Sequence, residues 1–155
     1  AYNQSNSKII VLDNSITGMT GHQENPTTGK RINGDPTTAV DLEALAHACG
    51  FERVLVVDPY DIAGTRKAIK EELAVEAPSL IISRRPCVLL KEVRKHQKPP
   101  LHVNADKCIG CKACMRIGCP AISFKDGQSY IDFTQCTGCG MCQPLCKFDA
   151  IEEGK

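Results

Sequence analysis

The chain has 155 residues, of which 19 are basic and 18 acidic, so its formal net charge is +1. A charge this close to neutral, with no Trp, three Tyr and four Phe, argues against a nucleic-acid-binding protein. The longest apolar runs, 9–12, 54–57 and 80–82, have the length of strands and are far too short to cross a bilayer. We therefore expect a cytoplasmic protein with no membrane partner.

Residues 1–90 alternate short apolar runs with helical patterns. Strands are predicted at 8–12, 53–57 and 79–83. A helix is predicted over 38–49 with Gly50 as its C-terminal stop, and Asp61 caps a second helix that carries Ile62, Ile69 and Leu73. Alternation of strands and helices predicts a mostly parallel, doubly wound α/β sheet.

The polar run 91–100 ends in two prolines, and its composition is typical of a linker. It separates the α/β region, 1–90, from a cysteine-rich region, 101–155. Within that second region, 121–124 and 129–133 flank the turn sequence 125–128, whose glycine predicts a hairpin.

Eight cysteines of the second region fall into two copies of one pattern. They are Cys108, Cys111, Cys114 and Cys119, then Cys136, Cys139, Cys142 and Cys146. Two runs of Cys-x2-Cys-x2-Cys, each followed by a fourth cysteine, are typical of a ferredoxin with two 4Fe-4S clusters. The near-repeat also predicts approximate twofold symmetry. Cys49 and Cys87 lie outside the pattern, and we expect both to be buried packing residues.

Two other uses of cysteine fit the pattern less well. A disulfide framework belongs to secreted proteins, whereas the first half of this chain is typical of an intracellular α/β layer with little cysteine. Zinc sites use two Cys-x2-Cys pairs separated by a longer loop, and three closely spaced cysteines followed by a fourth leave the second pair unexplained.

A second candidate site follows the first predicted strand, in the loop 13–23. In a parallel α/β sheet, ligands bind where the strands end at their carboxyl edge. The loop offers side-chain and backbone oxygens, which suit a magnesium ion that carries phosphates. On composition alone, an asparagine-containing turn is an equal alternative.

Residues 12–23, Leu-Asp-Asn-Ser-Ile-Thr-Gly-Met-Thr-Gly-His-Gln, resemble the second half of the thiamine diphosphate motif of the 2-oxoacid:ferredoxin oxidoreductases. The resemblance covers essentially the whole chain, because that family also joins such a domain to a two-cluster ferredoxin. It implies a partial thiamine-diphosphate-binding α/β domain followed by a small α+β ferredoxin domain.

The resemblance assigns roles within the loop. It implies that the Asn14 side chain and the Ile16 carbonyl bind the Mg2+ that holds thiamine diphosphate. The pocket around the cofactor would be shaped by Thr20, Gly21 and Gln23. The family's other metal ligand is an aspartate in a Gly-Asp-Gly or Gly-Asp-Ser segment, which residues 1–13 do not supply. We therefore expect half a cofactor site here and the other half in a longer chain.

The resemblance also implies crossed cluster ligation. One 4Fe-4S cluster would be held by Cys108, Cys111, Cys114 and Cys146, and the other by Cys136, Cys139, Cys142 and Cys119. The implied activity is oxidative decarboxylation of a 2-oxoacid, an aryl pyruvate, to an acyl-coenzyme A. The implied partners are a smaller β subunit, an external ferredoxin, the 2-oxoacid and coenzyme A. The alternative is an electron carrier with no catalysis of its own.

Overall fold

The computed structural model describes residues 1–154 as two compact units, the first spanning Ala1–Leu90 and the second beginning at Lys91. Each unit has a hydrophobic core of its own. Between residues 1 and 154, no helix is long and apolar enough to cross a membrane.

The first unit is built on a three-stranded parallel sheet. Its strands are β1 (Lys8–Asp13), β2 (Arg53–Val57) and β3 (Ser79–Arg84), in the order β1-β3-β2. All three predicted strands and their parallel arrangement are confirmed. The middle strand β3 is the most deeply buried, and Ile82 is fully inaccessible to solvent. The carboxyl ends of β1 and β3 therefore meet at one edge of the sheet, where the loop after β1 begins.

Helix α1 is shorter than the sequence pattern predicts. It spans Leu42–Ala48, and the Asp41 carboxylate caps it by accepting from the amides of Glu43 and Ala44 at 2.8 and 3.1 Å. The predicted start at residue 38 is wrong, because the amide of Val40 donates instead to the carbonyl of Pro26 at 2.8 Å. Gly50 ends the helix as predicted, with a φ of 91° that suits glycine.

Helix α2 spans Ile62–Leu73, and Asp61 caps it as predicted by accepting from the Gly64 amide at 2.9 Å. Glu72 on α2 accepts two hydrogen bonds from Arg53 on β2, at 2.7 and 2.9 Å. Helix α1 packs through Ala46 against the side of the sheet that carries Leu80 and Ile82. Arg53 contacts α2, and its neighbour Val54 packs on the core that contains Ala46 of α1. Successive residues of a strand point to opposite faces of the sheet, so the two helices lie on opposite faces.

The two cysteines outside the repeated pattern are less buried than predicted. Cys49 is exposed, and the expectation that it packs in the core is wrong. It lies at the C-cap of α1, where Gly50 turns the chain away. Cys87 is half-buried, and its amide donates to the Asn14 carbonyl at 2.9 Å.

The second unit begins with a short helix, α3 (Lys91–Lys95), inside the run predicted as a linker. Two antiparallel strand pairs follow, together with the 3-10 turns Ala113–Ile117 and Gln143–Leu145. In chain order the strands are β4 (Leu101–Val103), β5 (Ile122–Lys125), β6 (Gln128–Ile131) and β7 (Ile151–Glu153), paired β4 with β7 and β5 with β6.

The predicted hairpin is confirmed as β5 and β6, joined by Asp126 and Gly127. Both turn residues have positive φ, 48° and 82°, as a tight two-residue hairpin turn requires. The pairing of β4 with β7 is not predicted from the sequence. Each of these strands has only three residues, and they lie at opposite ends of the unit's sequence.

Candidate functional site

Four of the eight patterned cysteines line one cleft in the second unit. The cleft is partly open to solvent. Its thiols come from Cys108, Cys111, Cys114 and, from the other half of the repeat, Cys146. The remaining lining residues are mostly apolar: Val103, Ile109, Ala113, Ser129, Phe148, Ala150 and Ile151. Three neighbouring thiols and one distant in sequence thus face a common space.

The other four cysteines meet around Cys142. This thiol is 8% exposed, and burial raises its pKa to about 11. That rise in pKa includes smaller electrostatic contributions from the nearby Cys139, Cys136 and Cys119. Cys119 belongs to the first copy of the pattern and the other three to the second. A thiol with a raised pKa is protonated at neutral pH, but it loses its proton when it coordinates a metal ion.

Exposure is the same at equivalent positions of the two copies. The first cysteine of each is half-buried, the second exposed, the third buried and the fourth half-buried. This agreement reflects the approximate twofold symmetry that the near-repeat predicts.

The donor set fits an iron-sulfur cluster. Between residues 1 and 154, no three His, Cys, Asp or Glu side chains converge closely enough to bind one metal ion. Each thiolate of a 4Fe-4S cluster binds a different iron, so a shared cleft is the relevant geometry. Two glycines bring the cysteine loops close to neighbouring backbone. A Cβ at Gly110 would collide with the Gly127 carbonyl, and one at Gly138 with the Lys98 carbonyl.

Among residues 1–154, three hydrogen bonds involve cysteine sulfurs. The amide of Leu101 donates to Cys136 Sγ at 3.3 Å, and the amide of Ala150 donates to Cys146 Sγ at 3.4 Å. The Ser129 hydroxyl oxygen lies 3.2 Å from Cys114 Sγ. Ser129 is not among the site residues that the sequence predicts. Its place on a strand, two residues before the inward-facing Ile131, is the signal that could have shown that it faces the thiols.

In the first unit, the start of the loop after β1 is held by its own side chains. Oδ1 of Asp13 accepts from the Ser15 amide at 3.0 Å, and Oδ1 of Asn14 accepts from the Ile16 amide at 3.2 Å. Ser15 has a φ of 58°, and Ile16 is 5% exposed. The buried Ile16 anchors the turn that presents the Asn14 amide.

The rest of the loop closes on itself. Thr17 and Gln23 exchange backbone hydrogen bonds of 3.0 and 3.1 Å, and Thr20 Oγ1 donates to Gln23 Oε1 at 2.8 Å. Gly21, with a φ of 110°, lies at the tip beside His22. The structure therefore brings the predicted loop residues Thr20, Gly21 and Gln23 together in one small turn, while Asn14 and Ile16 lie where it leaves the sheet.

Arg84, at the end of β3, is a functional candidate that is not among the predicted site residues. Its Nε donates to Asp13 Oδ2 at 2.9 Å and its Nη1 to Glu43 Oε1 at 3.1 Å, and these bonds raise its pKa. Asp13 and Arg84 are also register partners. The available signal was that Asp13 and Arg84, which carry opposite charges, each follow a predicted strand. Their pairing can be inferred only when β1 and β3 are known to be neighbours in the sheet.

The comparisons with known proteins identify both units. The family model for the C-terminal TPP binding domain of thiamine pyrophosphate enzymes matches residues 1–83, just over half of the chain. The chain belongs to the thiamine pyrophosphate enzyme family. A 4Fe-4S dicluster domain model matches residues 101–147, which include all eight patterned cysteines. The chain thus carries both of the cofactor domains that its sequence predicts.

Archaeal relatives match almost the whole chain. The chain is 44% identical over 161 residues to indolepyruvate oxidoreductase subunit IorA of Thermococcus kodakarensis, covering 99% of this chain and 25% of that protein. The protein of the same name from Archaeoglobus fulgidus is 34% identical, covering 99% and 25%. These matches confirm the resemblance to the oxidoreductase family. The chain spans about a quarter of the length of the curated relatives it matches.

A shorter match has a different character. Ferredoxin-1 of Caulobacter vibrioides is 34% identical over 55 residues, covering 33% of this chain and 48% of that protein. About a third of the chain is therefore similar to a ferredoxin.

Proposed function

We propose that the chain supplies the electron-transfer unit and part of the thiamine diphosphate site of a cytoplasmic oxidoreductase that converts an aryl pyruvate, such as indolepyruvate, to an acyl-coenzyme A. The observation that carries the proposal is the presence of both cofactor domains on one chain. Thiamine diphosphate supplies the decarboxylation chemistry when it is bound. Two electrons then have to leave, and clusters accept electrons one at a time.

The cluster ligands proposed are the two crossed sets. One comprises Cys108, Cys111, Cys114 and Cys146, and the other Cys136, Cys139, Cys142 and Cys119. Support for the first set comes from the cleft that its four thiols line. Support for the second comes from the electrostatic effect of its other members on Cys142. In each set the fourth thiol belongs to the other copy of the pattern.

For the thiamine site we propose that Asn14 Oδ1 and the Ile16 carbonyl bind Mg2+. Two oxygen ligands leave the other positions of an octahedral ion to phosphates, water and residues outside this chain. Thr20, Gly21 and Gln23 would border the cofactor. The position of Asn14 at the carboxyl edge of β1 supports this assignment. We also propose that the sheet is part of a doubly wound one, which the helices on its two faces support.

The proposed partners are a smaller β subunit, coenzyme A, the 2-oxoacid and an external ferredoxin. The relatives are named as subunits, which supports a partner subunit. The ferredoxin-like second unit supports transfer of electrons to another small carrier.

The function is tested in a chimera in which this chain replaces the matching quarter of the Thermococcus kodakarensis protein, assembled with that enzyme's partner. Indolepyruvate, with thiamine diphosphate, Mg2+ and coenzyme A, should bleach the visible absorption of the clusters. Omission of thiamine diphosphate should prevent the bleaching. A chimera with intact clusters that dithionite bleaches and indolepyruvate does not would contradict the proposal.

A second candidate function is electron transfer without catalysis, which the match to Ferredoxin-1 favours. The same chimera separates the two. A carrier alone would exchange electrons with a ferredoxin whether or not its loop 13–23 is intact. The oxidoreductase proposal requires that a change in this loop stop reduction by indolepyruvate and leave reduction by dithionite unaltered.

A further inference from the structure

The hydroxyl of Ser129 lies against a sulfur that faces the four-thiol cleft. Ser129 is 7% exposed, and its Oγ is 3.2 Å from Sγ of Cys114, which donates to it as a thiol. A thiolate bound to iron has no proton to donate. With iron bound to Cys114, the hydroxyl of Ser129 would instead be the donor and the sulfur the acceptor.

The equivalent position in the other half of the unit is apolar. The two antiparallel strand pairs can be aligned on an Ala-Ile sequence that occurs in both. Its isoleucine is Ile122 in one pair, opposite Ile131, and Ile151 in the other, opposite Val103. Ser129 and Leu101 each lie two residues before the partner of that isoleucine. Leu101 is 3% exposed, so it faces inward as Ser129 does but carries no hydroxyl.

Backbone donors do not offset this difference. In the proposed crossed sets, the Ala150 amide donates to Cys146 of the first set, and the Leu101 amide donates to Cys136 of the second. Each set thus has one amide-to-sulfur hydrogen bond among residues 1–154. The Ser129 hydroxyl is an additional donor to the first set.

A positive charge next to the cysteines also distinguishes the two sets, and like the Ser129 hydroxyl it favours reduction of the first cluster. Lys112 follows Cys111, whereas Gly140 follows Cys139 at the equivalent place in the second copy. Lys112 is exposed and lies over the ring of Phe124, 4.2 Å from its centroid. Exposed charges are screened by salt, so its effect is smaller than that of a buried hydroxyl at hydrogen-bond distance.

We propose that Ser129 tunes the cluster of Cys108, Cys111, Cys114 and Cys146 to the higher reduction potential of the two. Reduction adds negative charge to a cluster, and a hydrogen bond to its sulfur stabilises that charge. An electron that passes between the two sites would then be favoured to move from the cluster of Cys136, Cys139, Cys142 and Cys119, oxidising it, to the cluster of the first set, reducing it. The inference rests on the proposed cluster ligation.

The test measures both potentials by voltammetry in the anaerobically reconstituted chain. The unsubstituted chain should show two one-electron waves. Ser129→Ala should lower the higher of the two reduction potentials by about 59 mV, which corresponds to a tenfold change in the equilibrium constant for reduction by one electron. The lower potential should not change. Ser129→Thr and Ser129→Val form a pair of equal shape, of which threonine should keep the potential and valine should lower it. This pair decides the question even if the alanine variant loses iron.

Ser123→Ala is the matched control, because Ser123 lies on the neighbouring strand β5 and is also partly buried. It should move neither wave. In 1 M salt the shift caused by Ser129→Val should persist, since the hydroxyl is buried. Equal potentials in the threonine and valine variants, or a shift of the lower wave, would overturn the inference. One wave from an unsubstituted chain that holds two clusters would also overturn the inference, whereas a chain that holds fewer than two clusters would instead contradict the proposed cluster ligation.

Discussion

Arg84 donates from Nε to Oδ2 of Asp13 at 2.9 Å, so the last residue of β3 holds the last residue of β1 at the start of the proposed metal loop. The same guanidinium reaches Glu43 at 3.1 Å. We predict that Arg84→Met in the chimera lowers Mg2+-dependent affinity for thiamine diphosphate by about tenfold, the loss typical of residues that orient metal ligands. Calorimetry measures it.

Arg85→Met is the control for that variant. Arg85 is the next residue and has similar exposure, but its side chain pairs with Asp58 at 2.7 Å. It should leave affinity for the cofactor unchanged. Arg84→Lys should keep only part of the affinity. Lysine retains the positive charge, but its ammonium group cannot bind both carboxylates in the geometry of a guanidinium. Equal effects of Arg84→Met and Arg85→Met would show that Arg84 does not orient the loop.

Asn14→Ala in the chimera tests the metal ligand itself. We predict a loss of about 10 to 100-fold in affinity for thiamine diphosphate, since one oxygen ligand of Mg2+ is removed. The 155-residue chain alone should bind the cofactor weakly or not at all, because it holds only half of the proposed site. Cluster absorbance is the control and should be the same in both proteins. Undiminished binding by the variant would remove Asn14 from the site.

Crossed ligation predicts which cluster each fourth cysteine holds. Cys119→Ala should change the paramagnetic spectrum in the same way as Cys139→Ala, and Cys146→Ala in the same way as Cys111→Ala. Cys49→Ser and Cys87→Ser should leave iron content unaltered, since neither belongs to the pattern. If Cys119→Ala instead matched Cys111→Ala, each cluster would be held by its own local cysteines.

The sequence predicts a strand or a helix end correctly where residues close together in the chain determine it. Strand β2 and the helix cap Asp61 follow directly from apolar runs and capping chemistry. The start of α1 was misplaced because the contact of Val40 with Pro26 is between residues distant in sequence. The same limit applies to Arg84, whose role depends on β1 and β3 being neighbours in the sheet.

The Arg53–Glu72 pair makes the stability of the chain depend on pH. Glu72 has a side-chain exposure of 2%, and its hydrogen bonds from Arg53 lower its pKa. The carboxylate therefore stabilises the fold above its ordinary pKa of 4.5, and this contribution is lost as pH falls through the lowered value.

Arg53→Met should lower the urea midpoint of unfolding of the first unit at pH 7, because it leaves a buried charge unpaired. The loss should be smaller at pH 5, because burial raises the pKa of the unpaired Glu72 and lets it take up a proton. Lys67→Met is the control, since it removes only the exposed pair with Glu71. A loss that does not change between pH 5 and pH 7 would show that Glu72 is not the group responsible.

Metal and sulfide analysis of the anaerobically reconstituted chain tests the central claim, that its eight patterned cysteines hold two 4Fe-4S clusters, most directly. We predict about eight iron atoms and about eight sulfide ions per chain, with broad visible absorption that dithionite bleaches. A colourless protein with stoichiometric, tightly bound zinc would contradict the account.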